Sequence, residues 1–342
     1  MIGNLPGLPF GVRDRANRML LEYYALHGGE MSAACSKAFA EVMQAVNADD
    51  GEPPVSVVAL NLEGPVPMVA MGYGDLDAAQ NLTVESAGMF SNADAALPGW
   101  DTASKNLYAE QVTLLERSGR DIEGNAVIVY LEYDTPDLVT VLMPFSARTG
   151  AERLALEIDG VFATRAANVP LPNLAALAHS YGTTTMANAL TLVTHKVQSF
   201  TMLASAGLDG QKIKDFSDLK VESAPDGSPA IYTTMASKDY VARIGSSLSG
   251  RLQPNPEVAL KWPTIDGAHQ FSSDGAGEFS PTTGHPLLAA DGGGYMDEGT
   301  QALWNSAAVT MGAADLVVGE LNVTSTPVWQ VAMQVAHELG AM

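Results

Sequence analysis

The sequence predicts an α/β fold: a mostly parallel central sheet with helices on both faces, preceded by two further helices. Three observations lead there. From Val55 onward, short apolar runs of strand length alternate with segments whose apolar residues recur at helical spacing. One stretch, Leu174 to Leu190, passes from an apolar run into a helical pattern across a sharp turn. A chain of 342 residues can bury a large core, and sheets of this kind often exceed about 200 residues within one domain.

Taken in order, Asn4-Leu5-Pro6-Gly7-Leu8-Pro9 reads as an extended arm. Val12 to Leu26 follows as a helix stopped by His27-Gly28-Gly29, and a second helix covers Met31 to Val46. Asp49 to Pro54 is a polar break, so residues 1–54 are expected to pack on the main domain as an appendage in which Met31, Cys35 and Met43 fill core space. Val55 to Leu62 and Val66 to Gly72 read as an antiparallel hairpin, and Asn81 to Ser86 as the next strand. Trp100 to Arg117 is expected to be a helix with Asp101 as its N-cap and Ser118-Gly119 as its stop. Ala126 to Glu132 reads as a buried strand and Thr149 to Ala163 as a helix. Val197 to Ala204 and Ala230 to Ala236 read as further strands. The stretch from about 245 to 284, rich in Gly, Ser and Pro, has no clear period and is long enough to cover a site. Asp297 to Met311 closes the main domain, 55–311, as a helix. In the tail, 312–342, Val328 to Leu339 is apolar at helical spacing and suited to dock on the domain or on a second copy, so a homo-oligomer is possible.

Composition narrows the partners. With 18 Lys and Arg against 39 Asp and Glu the formal charge is −21, which repels nucleic acid and anionic membrane at long range. The N-terminus lacks a basic segment followed by an apolar one, and no run approaches the ~20 apolar residues of a membrane span. A soluble protein without a signal peptide is expected, with the cytoplasm slightly favoured. The single cysteine, Cys35, excludes an internal disulfide and a cysteine-rich metal site. Asp291-Gly292-Gly293-Gly294 lacks the spaced carboxylates of a calcium loop, and Gly72-Tyr73-Gly74 is not a dinucleotide fingerprint. No metal and no cofactor are expected.

The turn in the Leu174–Leu190 stretch reads Ala178-His179-Ser180-Tyr181-Gly182. Small residues flank the serine, leaving room for strand and helix backbones to approach and for the serine to take a strained conformation with its hydroxyl exposed. This is a nucleophile elbow with alanine at its first glycine position. A Ser-Gly turn between two buried elements is the bland alternative, and the strand before and helix after favour the elbow.

A serine hydroxyl becomes a useful nucleophile when a neutral imidazole takes its proton, and the imidazole needs a carboxylate to fix its tautomer. Asp239 follows a predicted strand, and His285 follows the long loop, in the order Ser, Asp, His found in α/β-hydrolases. Asp239 also suits a cap for the segment beginning at Tyr240. His269, in the same loop, rivals His285, which the closing helix follows more nearly. His179, His195 and His337 suit surface or packing roles. For a developing oxyanion the candidate donors are the main-chain N–H groups of Tyr181, after the nucleophile, and Met89, after the Asn81–Ser86 strand; an ordinary turn is the alternative for Gly88-Met89.

Several segments carry a family resemblance: Asn4 to Tyr23, Gly74 to Asn81, Glu132 to Asp137, Ala178 to Thr184, Lys238-Asp239, and Gly284-His285 with the following Tyr295. Together they resemble an actinobacterial α/β-hydrolase family of unknown function, over nearly the whole chain up to about Met311. In that family the elbow usually reads Gly-His-Ser-Tyr-Gly, the acid follows the next-but-one strand, and the histidine begins a Gly-His-Ser segment. Here Ala178 replaces the first glycine, Pro286 the serine, and Ala87-Gly88 the usual Pro-Gly. The resemblance implies a hydrolase fold and little about substrate.

The expected function is therefore a serine hydrolase acting on a small-molecule or lipid ester, carboxylesterase-like or lipase-like, with Ser180 as nucleophile, His285 as base and Asp239 orienting it. Peptidase, amidase and thioesterase chemistry are alternatives on the same fold. So is a binding or assembly protein that keeps the scaffold without turnover.

Overall fold

The computed structural model describes residues 1–27, 31–47, 53–88, 92–119, 124–135, 145–165, 170–255 and 263–319. Among these residues eight strands form one sheet: β1 (Val55–Asn61), β2 (Met68–Gly74), β3 (Asn81–Ser86), β4 (Asn125–Leu131), β5 (Asn173–His179), β6 (Ser199–Leu203), β7 (Ile231–Thr234) and β8 (His269–Gln270). They lie in the order β1-β2-β4-β3-β5-β6-β7-β8. β1 with β2 and β2 with β4 are antiparallel, and every other pair is parallel. The alternation of strands and helices from β3 onward produces this result: parallel neighbours need a crossover, and helices supply it except between β6 and β7, where the connection holds only the 3-10 turn Phe216–Asp218.

Among the described residues seven helices surround the sheet: α1 (Phe10–His27), α2 (Ala33–Asn47), α3 (Ala93–Arg117), α4 (Phe145–Arg165), α5 (Gly182–Leu192), α6 (Tyr240–Ser249) and α7 (Gln301–Thr310). Alternation along β3 and β4 sorts them. Thr83 hydrogen-bonds Gln111 of α3, which also reaches Thr310 of α7. Tyr130, on the opposite face, reaches Glu157 of α4. The strands are buried on both faces and apolar nearly throughout: every residue of β4, from Asn125 to Leu131, is buried.

The N-terminal helices are tied to this core by polar contacts at their ends. The first two N–H groups of α1 have no partner inside the helix, and Asp77 accepts both, from Phe10 and Gly11, each at 2.8 Å. One turn on, the Arg13 guanidinium forks onto Glu157 at 2.7 and 2.9 Å, and its Nε donates to the carbonyls of Gly3 and Val58. Both residues are buried, so the pair is held by geometry and by the hydrogen bonds that satisfy it, the condition for a buried ion pair to be tolerated.

Three helix starts differ from the sequence reading by four residues or more, and one of them, α4, begins at Phe145 instead of Thr149. α3 begins at Ala93 instead of Trp100 and carries Pro98 within it. Pro98 is past the first turn and forfeits the bond to the Asp94 carbonyl, and packing of α3 on α2 and α7 carries the helix through it. Asp101 is consequently not a cap; it accepts from the Tyr73 hydroxyl at 2.9 Å and pairs with Lys105 at 3.1 Å. α7 begins at Gln301, capped by Thr300. Asp297, read as its first residue, instead accepts the N–H groups of Ala289 and Gly294 and closes the turn before the helix. The long 245–284 stretch contains the end of α6 and the edge strand β8. The apolar segment Val328 to Leu339 lies outside the described residues.

One buried carboxyl on β3 has a pH consequence. Glu85 is fully buried, hydrogen-bonded through one oxygen to the Ser104 hydroxyl, and its other oxygen has no protein partner among the described residues. Burial pushes its pKa up to about 8 against the downward pull of the Ser104 hydrogen bond. The fold thus keeps a proton that the unfolded chain releases near 4.5, so this group's contribution is full below about 4.5 and is lost as the pH rises to about 8. Glu85→Gln, neutral at all pH, is expected to gain stability relative to the wild type by on the order of 4 kcal/mol between about pH 5 and about pH 9. Urea titrations at the two pH values check this, and an unchanged difference would mean that Glu85 is ionised in the fold.

Candidate active site

β5 ends at His179 and α5 starts at Gly182, leaving two residues to reverse the chain's character. Ser180 takes φ 54°, one of two non-glycine residues at positive φ among the described residues. That conformation costs about 1–3 kcal/mol and persists only when the surroundings impose it. Here they do. The Ser180 N–H donates to Leu203 of β6 at 2.9 Å, while its carbonyl accepts from the Thr183 N–H at 3.1 Å, the Thr183 hydroxyl at 2.7 Å and the Ala206 N–H at 3.3 Å.

Two glycines let β3 approach the turn. A Cβ on Gly182 would stand 2.3 Å from the Ser86 carbonyl oxygen and 2.6 Å from that of Ala87, both backbone atoms. A Cβ on Gly88 would meet the Ser180 Cβ at 3.0 Å and the His179 carbonyl at 3.1 Å. The segment after β3 therefore runs against the elbow. Tyr133 braces it by donating its hydroxyl to the Ala87 carbonyl at 2.6 Å.

The three residues predicted from their order in the chain meet at the carboxyl ends of β5 and β7. Ser180 Oγ is 2.9 Å from His285 Nε2, and His285 Nδ1 is 2.9 and 3.1 Å from the two Asp239 oxygens. The roles weighed for Asp239 coexist: it is the N-cap of α6, accepting the Ala242 N–H at 2.9 Å, and it holds the histidine. It also accepts the Tyr295 hydroxyl at 3.0 Å, and that hydroxyl in turn accepts the Ala236 N–H at 2.8 Å. Burial pushes the Asp239 pKa up, but the neighbouring His285 and the hydrogen bonds from His285, Ala242 and Tyr295 outweigh it and hold the carboxyl below its ordinary value.

His269 lies elsewhere. It belongs to β8, with Nε2 2.8 Å from the Ser228 hydroxyl and its ring stacked on Tyr232 at 5.1 Å. Tyr181 follows the serine with a buried side chain; its hydroxyl accepts the Ala147 N–H at 3.2 Å, and the Arg251 guanidinium lies 4.7 Å from its ring centroid. Met89, the second oxyanion candidate, lies outside the described residues, as does His337. His195 sits beside Asp159 and Phe162 at the surface. His179, expected to be a surface or packing residue, reaches the site: its Nε2 is 2.9 Å from the His285 carbonyl oxygen. Its place beside Ser180, and the histidine usual there in the resembled family's elbow, were the available signals. Among the described residues no group of three or more His, Cys, Asp or Glu side chains is disposed to hold a metal ion. Nor is any of their helices long and apolar enough to cross a membrane.

A strained serine at a strand-to-helix turn, joined to histidine and aspartate beyond parallel strands, is the arrangement that the α/β-hydrolase order anticipates. The family model described as alpha/beta hydrolase matches residues 65–249. This chain belongs to the alpha/beta hydrolase family. The matched span includes Ser180 and Asp239 and ends before His285. Similar solved structures include carboxyl esterase 2 from the mycorrhizal fungus Tuber melanosporum, with 13% identity, 79% of this chain and 90% of that one covered, and a TM-score of 0.40. A hyperthermophilic esterase from the archaeon Pyrobaculum calidifontis matches at 13% identity, 83% and 92% coverage and TM-score 0.40. Esterase LipW from Mycobacterium marinum matches at 14% identity, 82% and 86% coverage and TM-score 0.40. No curated protein sequence matches the chain.

The elbow of this alpha/beta hydrolase is a tight fit, and that is testable. Gly182→Ala drives a methyl into two backbone carbonyls that cannot swing away, so we expect a loss of more than about 2 kcal/mol of stability in denaturant titration. An alanine variant as stable as the wild type would mean that β3 and the elbow are further apart than described.

Proposed function

We propose that the protein is a serine hydrolase that cleaves an ester through an acyl-enzyme, with Ser180 as nucleophile, His285 as general base and acid, and Asp239 orienting the imidazole. The observation that carries this is the unbroken series of contacts from the Ser180 hydroxyl through His285 to the buried Asp239. As Ser180 Oγ attacks the acyl carbon, its proton passes to His285 Nε2 and the imidazolium is stabilised by Asp239. The carbonyl oxygen becomes an oxyanion, which the N–H groups of Tyr181 and Met89 stabilise. His285 then returns the proton to the leaving alkoxide. Water, deprotonated by His285, attacks the acyl carbon, and Ser180 leaves with the proton restored. Esters rank before amides because an alkoxide leaves with less help from a general acid than an amine does. The catalytic domain in this reading is 55–311, with 1–54 packed on it, the stretch at about 245–284 covering the site, and the tail 312–342 outside it.

The reading makes a graded prediction. Ser180→Ala should abolish turnover of nitrophenyl esters, since loss of the nucleophile costs up to about a million-fold. His285→Ala should be comparably severe, and Asp239→Asn should lower kcat by up to about ten-thousand-fold by favouring the wrong tautomer. His269→Ala should leave kcat within about threefold, because the residue pairs with Ser228 and stacks on Tyr232. Initial rates with a panel of esters and anilides measure all four. Residual Ser180→Ala turnover above a few per cent would remove the nucleophile assignment, and failure of a fluorophosphonate to label Ser180 in the wild type would favour a binding protein.

A further inference from the structure

The base stands on a surface loop. Thr283, Pro286 and Ala290 are exposed, Gly284 precedes the histidine, and Pro286 has no N–H to contribute. Main-chain hydrogen bonds close this loop around the histidine: Thr283 N–H to Gly293, Tyr295 N–H to Pro286 and Met296 N–H to Leu287, at 2.8 to 3.1 Å. Side chains meet His285 itself. Asp239 and Ser180 hold the two ring nitrogens, and His179 Nε2 is 2.9 Å from the carbonyl oxygen.

A carbonyl oxygen only accepts, so Nε2 of His179 carries the proton. We propose that His179 is a positioning residue for the base: its Nε2–H fixes the main chain of His285 while the adjacent Ser180 meets the ring of that same residue. The inference rests on the hydrolase reading above. Two consecutive elbow residues grip both ends of the base, so the Oγ to Nε2 separation is held within a short closed circuit. Preorganisation of this kind matters because a misplacement of about 1 Å can cost about a hundredfold in rate.

The choice of imidazole as donor has its own reason. His179 is buried, with its ring 5.0 Å from that of His285 and 5.6 Å from that of Tyr295. Burial, and then the proximity of His285, push its pKa down to about 3, with Asp239 and the hydrogen bond to the His285 carbonyl acting the other way. It remains neutral where the enzyme would work. A lysine or arginine there would also donate to the carbonyl, but its charge would oppose the imidazolium that must form on His285 in the transition state.

The test compares two substitutions. His179→Phe keeps a flat ring and loses the donor, whereas His179→Gln places an amide N–H close to where Nε2 stands. We expect the Phe variant to lower kcat on nitrophenyl esters about tenfold to hundredfold with KM within about twofold, and the Gln variant to recover to within about fivefold of wild type. Equal losses in the two variants, or an unaffected Phe variant, would overturn the proposal. Fluorophosphonate labelling separates this from failure of the hydrolase reading: an unlabelled wild type sinks that reading, while a wild type and a Phe variant labelled at equal rates sink only the role of His179. If neither variant folds, the nitrogen-15 shifts of the wild-type imidazoles decide. A protonated Nε2 on His179 is expected, and an Nδ1–H tautomer would remove the hydrogen bond on which the proposal stands.

Discussion

A serine at φ 54° is a conformation that the chain does not choose by itself. It exists because β3, β5 and β6 hold the backbone on three sides: Leu203 takes the serine N–H, Ala206 and Thr183 donate to its carbonyl, and the Gly88 and Gly182 backbones fill the space beside it. The rest of the site depends on that constraint. In that conformation the Ser180 hydroxyl meets His285 Nε2 at 2.9 Å. Parallel pairing of β3 with β5 and of β5 with β6 is thus a condition for the placement of the serine as well as for the core.

Asp239 shows how a buried charge is made tolerable. It is fully buried, and an isolated carboxylate there would take up a proton. Three donors from three places in the chain prevent this: the Ala242 N–H at the start of α6, the Tyr295 hydroxyl and the His285 Nδ1–H. The helix start contributes its dipole in the same direction. Being a cap and orienting a histidine are therefore one electrostatic arrangement. The cap fixes the carboxylate and keeps it ionised, and an ionised carboxylate is what an imidazolium needs.

Much of this was legible in the sequence because it is local or ordered along the chain. The strands β3, β4 and β5, the elbow and the order Ser180, Asp239, His285 all follow from short-range patterns of apolar and small residues. What escaped reading is what long-range contacts decide. Pro98 and Asp101 look like a helix start, but the helix packs against α2 and α7, begins at Ala93 and turns Asp101 toward Tyr73. His179 reads as packing because its partner, the carbonyl of His285, lies 106 residues away. Tyr295 stood out by resemblance alone, since no spacing rule foretells that a hydroxyl will bridge Asp239 and the Ala236 N–H.

The two histidines at the centre are best understood as opposites. Their ring centroids lie 5.0 Å apart, yet in the proposed reaction one gains a proton and the other stays neutral. Environment separates them. His285 has the Asp239 carboxylate on its Nδ1, which favours the imidazolium, whereas His179 faces a carbonyl and is enclosed, which favours the neutral ring. Exchanging these surroundings would exchange the roles. The chemistry of the site is therefore written less in which residues are histidines than in which one the fold has placed against Asp239.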